Sequence, residues 1–191
     1  MSYEVELKYA VANMPELLAK LESLGFHFGR PVEEQDTFYQ HPAKDYAASD
    51  ECLRIRLRAG RYTITYKGPK LDRESKTRHE IELPLTDLAE TGRQWGELLQ
   101  AIGFRASAEL KKTRRKAEFT DSGRKYELTL DHIDGLGDFI EIETIAEERQ
   151  LDEAQQCVKS LATSFDLSEP ITTSYLELSQ AAKNQNNTRP M

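Results

Sequence analysis

Glu4-Val5-Glu6-Leu7-Lys8 alternates charged and apolar residues without a break, and the same period of two returns in Leu53-Arg54-Ile55-Arg56-Leu57-Arg58 and Phe139-Ile140-Glu141-Ile142-Glu143. In an extended chain residues i and i+2 share a side, so each segment reads as a strand with one charged and one apolar face. Tyr62 to Lys67, Arg78 to Glu82, Lys112 to Phe119 and Tyr126 to Asp131 keep the pattern. The turns Ala59-Gly60-Arg61 and Asp121-Ser122-Gly123 join neighbours as hairpins, which makes the pairing antiparallel.

Three stretches carry helical spacing instead. Residues 13–26 open on Asn13 as N-cap with Glu16 three positions on, place Leu17, Leu18, Leu21 and Leu24 on one side, and stop at Gly25. Residues 86–102 carry Trp95, Leu98, Leu99 and Ile102 as an apolar stripe, with Gly92 and Gly96 in the middle, where the helix either breaks or runs on. Residues 151–165 open on Asp152 and Glu153 and bury Ala154, Cys157, Val158, Leu161 and Phe165. A Glu-x-Glu strand recurs at Glu4/Glu6, Glu80/Glu82 and Glu141/Glu143, each time with a helix after it, a pseudo-repeat inside one domain. That domain is expected over residues 1–180, with 181–191 (AAKNQNNTRPM) as a polar, disordered tail.

The helices need an apolar surface to cover, and Val5, Leu7, Leu53, Ile55, Leu57, Ile81, Leu83, Ile140 and Ile142 supply it on one face of the sheet. The charged face is then turned away from the helices. It is either the wet side of an open antiparallel sheet or the lining of a closed one; seven strands exceed the usual sheet of roughly 4–6, and such a sheet tends to curl. Buried ions cost several kcal/mol unless paired or neutralised, so a lining of carboxylates, arginines and lysines suits a polyanion accompanied by a divalent cation.

Length, composition and charge set the outer limits. The chain has 191 residues, 38% hydrophobic and 31% charged, with a formal charge of −7, which excludes collagenous and wholly disordered classes. No apolar run approaches the ~20 residues of a membrane-spanning helix, and the first residues lack a basic segment followed by an apolar one; a cytoplasmic protein without a membrane partner is expected. The acidic balance argues against nucleic acid as partner, although residues 53–58 and 111–116 are dense in basic side chains. Cys52 and Cys157 read as packing residues, and none of the four histidines is assigned a role. A Gly-rich phosphate loop, a nucleophile elbow, a zinc pattern and a dinucleotide fingerprint are all absent from the sequence.

Ligand hardness narrows the chemistry. Mg²⁺ and Mn²⁺ take oxygen donors, commonly one or two carboxylates completed by water and substrate phosphates, which fits Glu4, Glu6, Glu141 and Glu143. Arg54 and Arg56 offer bidentate forks to phosphate, while Lys8 and Lys67 offer point charges.

These segments, taken in order, resemble the CYTH superfamily of triphosphate tunnel metalloenzymes, most closely its class IV adenylyl cyclases. The resemblance rests on Glu4-Val5-Glu6-Leu7-Lys8, Asp36-Thr37-Phe38-Tyr39 with His41-Pro42, Leu53-Arg54-Ile55-Arg56, Thr65-Tyr66-Lys67-Gly68, Arg78-x-Glu80-x-Glu82, Lys112-x-Arg114, Leu130-Asp131, Leu136 to Glu143 and Ser174-Tyr175-Leu176-Glu177-Leu178. It implies an α+β fold, a closed eight-stranded antiparallel barrel with helices packed outside. It further implies a triphosphate such as ATP or tripolyphosphate in the tunnel, two divalent cations, and a homodimer. Carried onto this chain, Glu4, Glu6, Asp131, Glu141 and Glu143 would be metal ligands, with Glu80 and Glu82 near the second metal or orienting basic residues. Asp131 shares that second alternative. Lys8, Arg54, Arg56, Lys67, Arg78, Lys112 and Arg114 would bind the triphosphate, with Arg115 the alternative to Arg114, and Glu4, Glu6 and Lys8 would be catalytic. The implied activity is adenylate cyclase; a hydrolase of tripolyphosphate, thiamine triphosphate or nucleoside triphosphate is the alternative, and a non-catalytic polyphosphate-binding module ranks last.

Overall fold

The computed structural model describes residues 2–187 except Arg73. The strands are β1 (Ser2–Val11), β2 (Val32–Gln40), β3 (Cys52–Arg58), β4 (Arg61–Lys70), β5 (Arg78–Thr86), β6 (Arg105–Asp121), β7 (Arg124–Ile133) and β8 (Gly137–Glu147). The helices are α1 (Met14–Ser23), α2 (Ala89–Ala101), α3 (Leu151–Ser164) and α4 (Tyr175–Asn187). All eight strands pair antiparallel in the order β1-β5-β4-β3-β2-β6-β7-β8, and β8 returns to β1, so the sheet is a closed barrel. Its weakest seam is β1 against β5, paired only at Tyr3↔His79 and Glu4↔Arg78. The β4–β5 loop continues that seam, with the Lys76 amide donating to the Glu6 carbonyl at 3.0 Å.

Both hairpin turns form where glycine and its neighbour can take positive φ. Ala59 and Gly60 sit at φ 48° and 81°, Ser122 and Gly123 at 49° and 82°, and two successive positive values match the right-handed twist of the flanking strands. The Asn13 cap forms too: its side-chain oxygen accepts from the Glu16 amide at 3.2 Å.

Closure puts the apolar face outside. Val5, Leu7, Leu128, Ile140 and Ile142 are buried beneath Leu21 of α1 and Ala154, Val158 and Ala162 of α3. Tyr39, Leu53 and Ile55 are buried with Leu99 of α2. A third cluster lies on the inner face instead, where Phe38, Leu110, Ile133 and Phe139, in phase with the inward charged residues, pack with Tyr175 of α4 at one end of the barrel. Ile81 and Leu83 depart from the expectation: they are 44% and 55% exposed, whereas Leu85, further along β5, packs in the cluster under α2.

Three further points go beyond or against the sequence reading. α2 runs unbroken through Gly92 and Gly96, whose role is close approach: a Cβ on Gly92 would lie 2.3 Å from the Tyr62 ring, and one on Gly96 2.6 Å from the Tyr39 hydroxyl. Its inward side is Leu99 with the two glycines, while Leu98 and Ile102 are exposed. Residues 181–187, read as part of a disordered tail, lie in α4, and 188–191 fall outside the described residues. The eighth strand, β2, escaped the period-two reading because its inward Glu34 and Asp36 alternate with Gln35 and Thr37, not with apolar residues.

Candidate functional site

The charged face of every strand points inward. Lys8 and Asp131 are fully buried, and Glu4, Glu6, Arg56, Lys112, Arg114 and Glu141 are each buried. The interior holds a cavity of about 970 Å³, at the upper end of the range for small-molecule sites. Register sets who meets whom: Glu6 stands opposite Glu143 and Lys8 opposite Glu141 across β1 and β8. Thr129 faces Glu141 and Glu127 faces Glu143 across β7 and β8.

Three carboxylates converge. Glu4, Glu6 and Glu143 each present an oxygen within 4.8 Å of the others. Lys67 reaches into this group, its Nζ 2.9 Å from Glu4 and 2.6 Å from Glu80. Lys76 bridges Glu6 and Glu141, the latter at 3.3 Å. On the facing wall Arg56 forks onto Asp36 at 2.6 and 2.8 Å. Arg114 forks in the same way onto Asp131 and also reaches Glu141. Glu34 lies among Arg56, Arg58 and Lys112 at 3.2 to 3.4 Å.

Most of the residues singled out in the sequence lie around this one cavity. Arg54, Arg56, Lys67, Arg78, Lys112 and Arg114 line the cavity, as do Glu80 and Glu82. Strand phase selects Arg114 over Arg115: Arg114 is buried within the barrel, and Arg115, one residue on, is half-buried on the other side of β6. Glu141 stands beside the three-carboxylate group with Lys76 and Arg114 as partners. Asp131 lies apart, enclosed by Arg114 and, at 3.5 Å, Lys112. Lys8 donates to the Thr173 carbonyl and lies against the Tyr175 ring. Sequence reasoning gave no role to Glu34, Asp36 or Tyr175. Asp36 and Tyr175 lay in quoted motifs, but Glu34 had no neighbour of opposite character to mark it. Both cysteines pack with apolar neighbours, as expected.

Proton affinities show what the cavity lacks. Burial, with Glu141 and Glu4 nearby, pushes Glu6 up to about 7 against the pull of Lys76. Burial likewise raises Glu4 despite Lys67, and raises Glu143 well above the usual range with Glu4 and Glu127 adding to it. Two lysines move the opposite way: burial and Arg114 push Lys112 down to about 8, and burial and Lys76 push Lys8 down to about 7. At Glu141 burial is outweighed by Lys76, Arg114 and Lys112, which hold it well below its ordinary value. One part of the interior therefore holds more negative charge than its surroundings stabilise, and another more positive charge. Three hard oxygen donors within one ion's reach fit a divalent cation of the Mg²⁺ or Mn²⁺ type, and the dense buried arginines and lysines fit an anion.

Comparison with known proteins gives a consistent picture. The family model described as CYTH domain matches residues 2–175. A protein of Methanocaldococcus jannaschii named "Putative adenylate cyclase MJ0240" is 34% identical over 180 residues, covering 92% of this chain and 97% of that protein. "Adenylate cyclase CyaB" of Aeromonas hydrophila is 28% identical over 170 residues, 87% of this chain and 82% of that one. Among solved structures, the PH1819 protein of Pyrococcus horikoshii OT3 superposes with a TM-score of 0.81 at 37% identity, over 93% of this chain and 98% of that one.

Proposed function

The chain belongs to the CYTH family, and on that premise we propose that it is an adenylate cyclase that holds ATP by its triphosphate inside the barrel and releases cyclic AMP and pyrophosphate. The observation that carries the reading is one cavity in which Glu4, Glu6 and Glu143 converge within 4.8 Å of one another while Arg54, Arg56, Lys112 and Arg114 line the rest, which matches a substrate that brings anion and cation together. The adenylate cyclase names of the two relatives support the choice of reaction.

In this reading Glu4, Glu6 and Glu143 would hold Mg²⁺ or Mn²⁺, with Glu141 at the edge of the group. Bound there, the cation supplies charge neutralisation beside the phosphates. Arg54 binds the polyphosphate: its only carboxylate partner among the described residues is Asp36 at 3.5 Å, and its buried Nε has no hydrogen-bond partner there. Arg56, Lys67, Arg78, Lys112 and Arg114 complete the anion-binding wall, and Asp36 and Asp131 hold Arg56 and Arg114 in orientation. Lys8 contributes charge from its place against the Tyr175 ring. Cyclisation then needs positioning and electrostatics: the ribose 3′ oxygen forms a bond to the α-phosphorus as the bond to pyrophosphate breaks, the hydroxyl proton leaving to solvent.

Product analysis tests this. ATP and inorganic tripolyphosphate are each incubated with Mg²⁺ and with Mn²⁺, and cyclic AMP, pyrophosphate and orthophosphate are measured. Cyclic AMP with matching pyrophosphate is expected. Orthophosphate without cyclic AMP would replace the cyclase with a triphosphatase, and binding without turnover would replace both with a binding module.

A further inference from the structure

The first turn of α4 enters the barrel end formed by the start of β8 and the end of β7, and Tyr175 is its deepest residue. The ring packs edge-on to Phe139 at 5.1 Å within the cluster of Phe38, Leu110 and Ile133. Three ammonium groups gather on it: Lys8 Nζ at 4.1 Å from the ring centroid, Lys112 Nζ at 5.4 Å and Lys76 Nζ at 5.8 Å. A tyrosine face attracts each cation through its quadrupole, but the three cations repel one another across the same ring. Lys76 and Lys112 have carboxylate partners. Lys8 has only the Thr173 carbonyl and the rings, with no carboxylate within 4 Å among the described residues.

The hydroxyl adds a second, independent observation. Tyr175 is 92% buried, its Oη is fully enclosed and has no hydrogen-bond partner, and the charges it senses are those of Glu141, Asp131 and Arg114, inside the barrel. An unpartnered buried hydroxyl costs on the order of 1–3 kcal/mol, so its retention on a ring that gathers three ammonium groups calls for an acceptor that arrives from outside.

We propose that Tyr175 is a positioning residue for the substrate's phosphate chain: its ring gathers Lys8, Lys76 and Lys112, and its hydroxyl donates to an oxygen of a phosphoryl group they hold. Tyr175 lines the same cavity as Arg54, Arg56 and Lys112, so its hydroxyl lies within reach of a phosphate chain held there. The inference rests on the triphosphate reading above, and it adds a hydrogen-bond donor to the site.

Tyr175→Phe keeps the ring and removes only the donor. Calorimetric titration with inorganic tripolyphosphate, run alongside thermal unfolding and with Arg54→Ala as control, separates the possibilities. A lost hydrogen bond to a charged acceptor weakens affinity about tenfold or more, while the variant unfolds at the same or a higher temperature because an unpartnered hydroxyl is gone. A merely structural role would leave affinity unchanged. If Tyr175→Phe binds like the wild type while Arg54→Ala binds weakly, the Tyr175 inference is overturned and the triphosphate reading stands. A wild-type protein that binds no tripolyphosphate overturns both.

Discussion

At Glu6 burial and two neighbouring acids favour a proton, while Lys76 favours the carboxylate, and the balance leaves the group titrating at about 7. Its folded pKa lies above its unfolded value near 4.5, so the folded state binds the proton more tightly. The favourable contribution is complete below pH 4.5 and is lost as pH rises through 7. Glu6→Gln cannot ionise, so in metal-free buffer its stability relative to wild type is expected to improve between pH 4.5 and 8. Chemical denaturation across that range measures it, and a flat difference contradicts the assignment. In the presence of Mn²⁺ the same variant, like Glu4→Ala, is expected to lose on the order of 100-fold or more in turnover while remaining folded. Arg54→Ala is expected to weaken tripolyphosphate binding by about 10- to 100-fold and to make it less sensitive to salt, since one strong anion contact is removed. Circular dichroism and titrations at two ionic strengths check both.

Elements hold these residues in place through features that composition hides. α2 lies on aromatic rings at Gly92 and Gly96, and a methyl group at either position has no space. Gly92→Ala gains about 0.5–1 kcal/mol of helix propensity, but the clash with Tyr62 costs about 1–3 kcal/mol, so net destabilisation is expected in denaturant unfolding. α4 depends on a reciprocal cap: the Ser174 amide donates to the Glu177 carboxylate at 2.7 Å, and the Glu177 amide donates to the Ser174 hydroxyl at 3.2 Å. Ser174→Ala removes one half, at about 1 kcal/mol, and is expected to speed amide exchange in the first turn around Tyr175 before the barrel loosens. The Ser-x-x-Glu spacing was readable in the sequence. The helix behind it was not, because its apolar residues are confined to Tyr175, Leu176 and Leu178 near one end.

Over the whole molecule, alternation survives in the sequence because this barrel is charged inside and apolar outside, so seven strands keep a period of two. β2 is the exception, polar on both faces where Glu34 and Asp36 meet Gln35 and Thr37. Closure itself was not written in any one strand; it follows from β1 pairing with both β5 and β8. Ile81 and Leu83 show the same limit, since the pattern marks an outer face without saying which parts a helix will cover. The acids and bases of the site were legible through strand phase. Lys76 was less so, because it enters from the β4–β5 loop, where no periodicity assigns a side; the loop is fixed instead by Asp72, Gln155 and Thr77.

The central claim is that carboxylates and cations in one cavity bind a divalent cation and a phosphate chain together. Tripolyphosphate affinity measured with and without Mn²⁺, in the wild type and in Glu6→Gln, tests it most directly. Binding that tightens with Mn²⁺ in the wild type, with that gain lost in Glu6→Gln while metal-free binding persists, is the predicted result. Affinity indifferent to Mn²⁺, or a gain that Glu6→Gln retains in full, would contradict it.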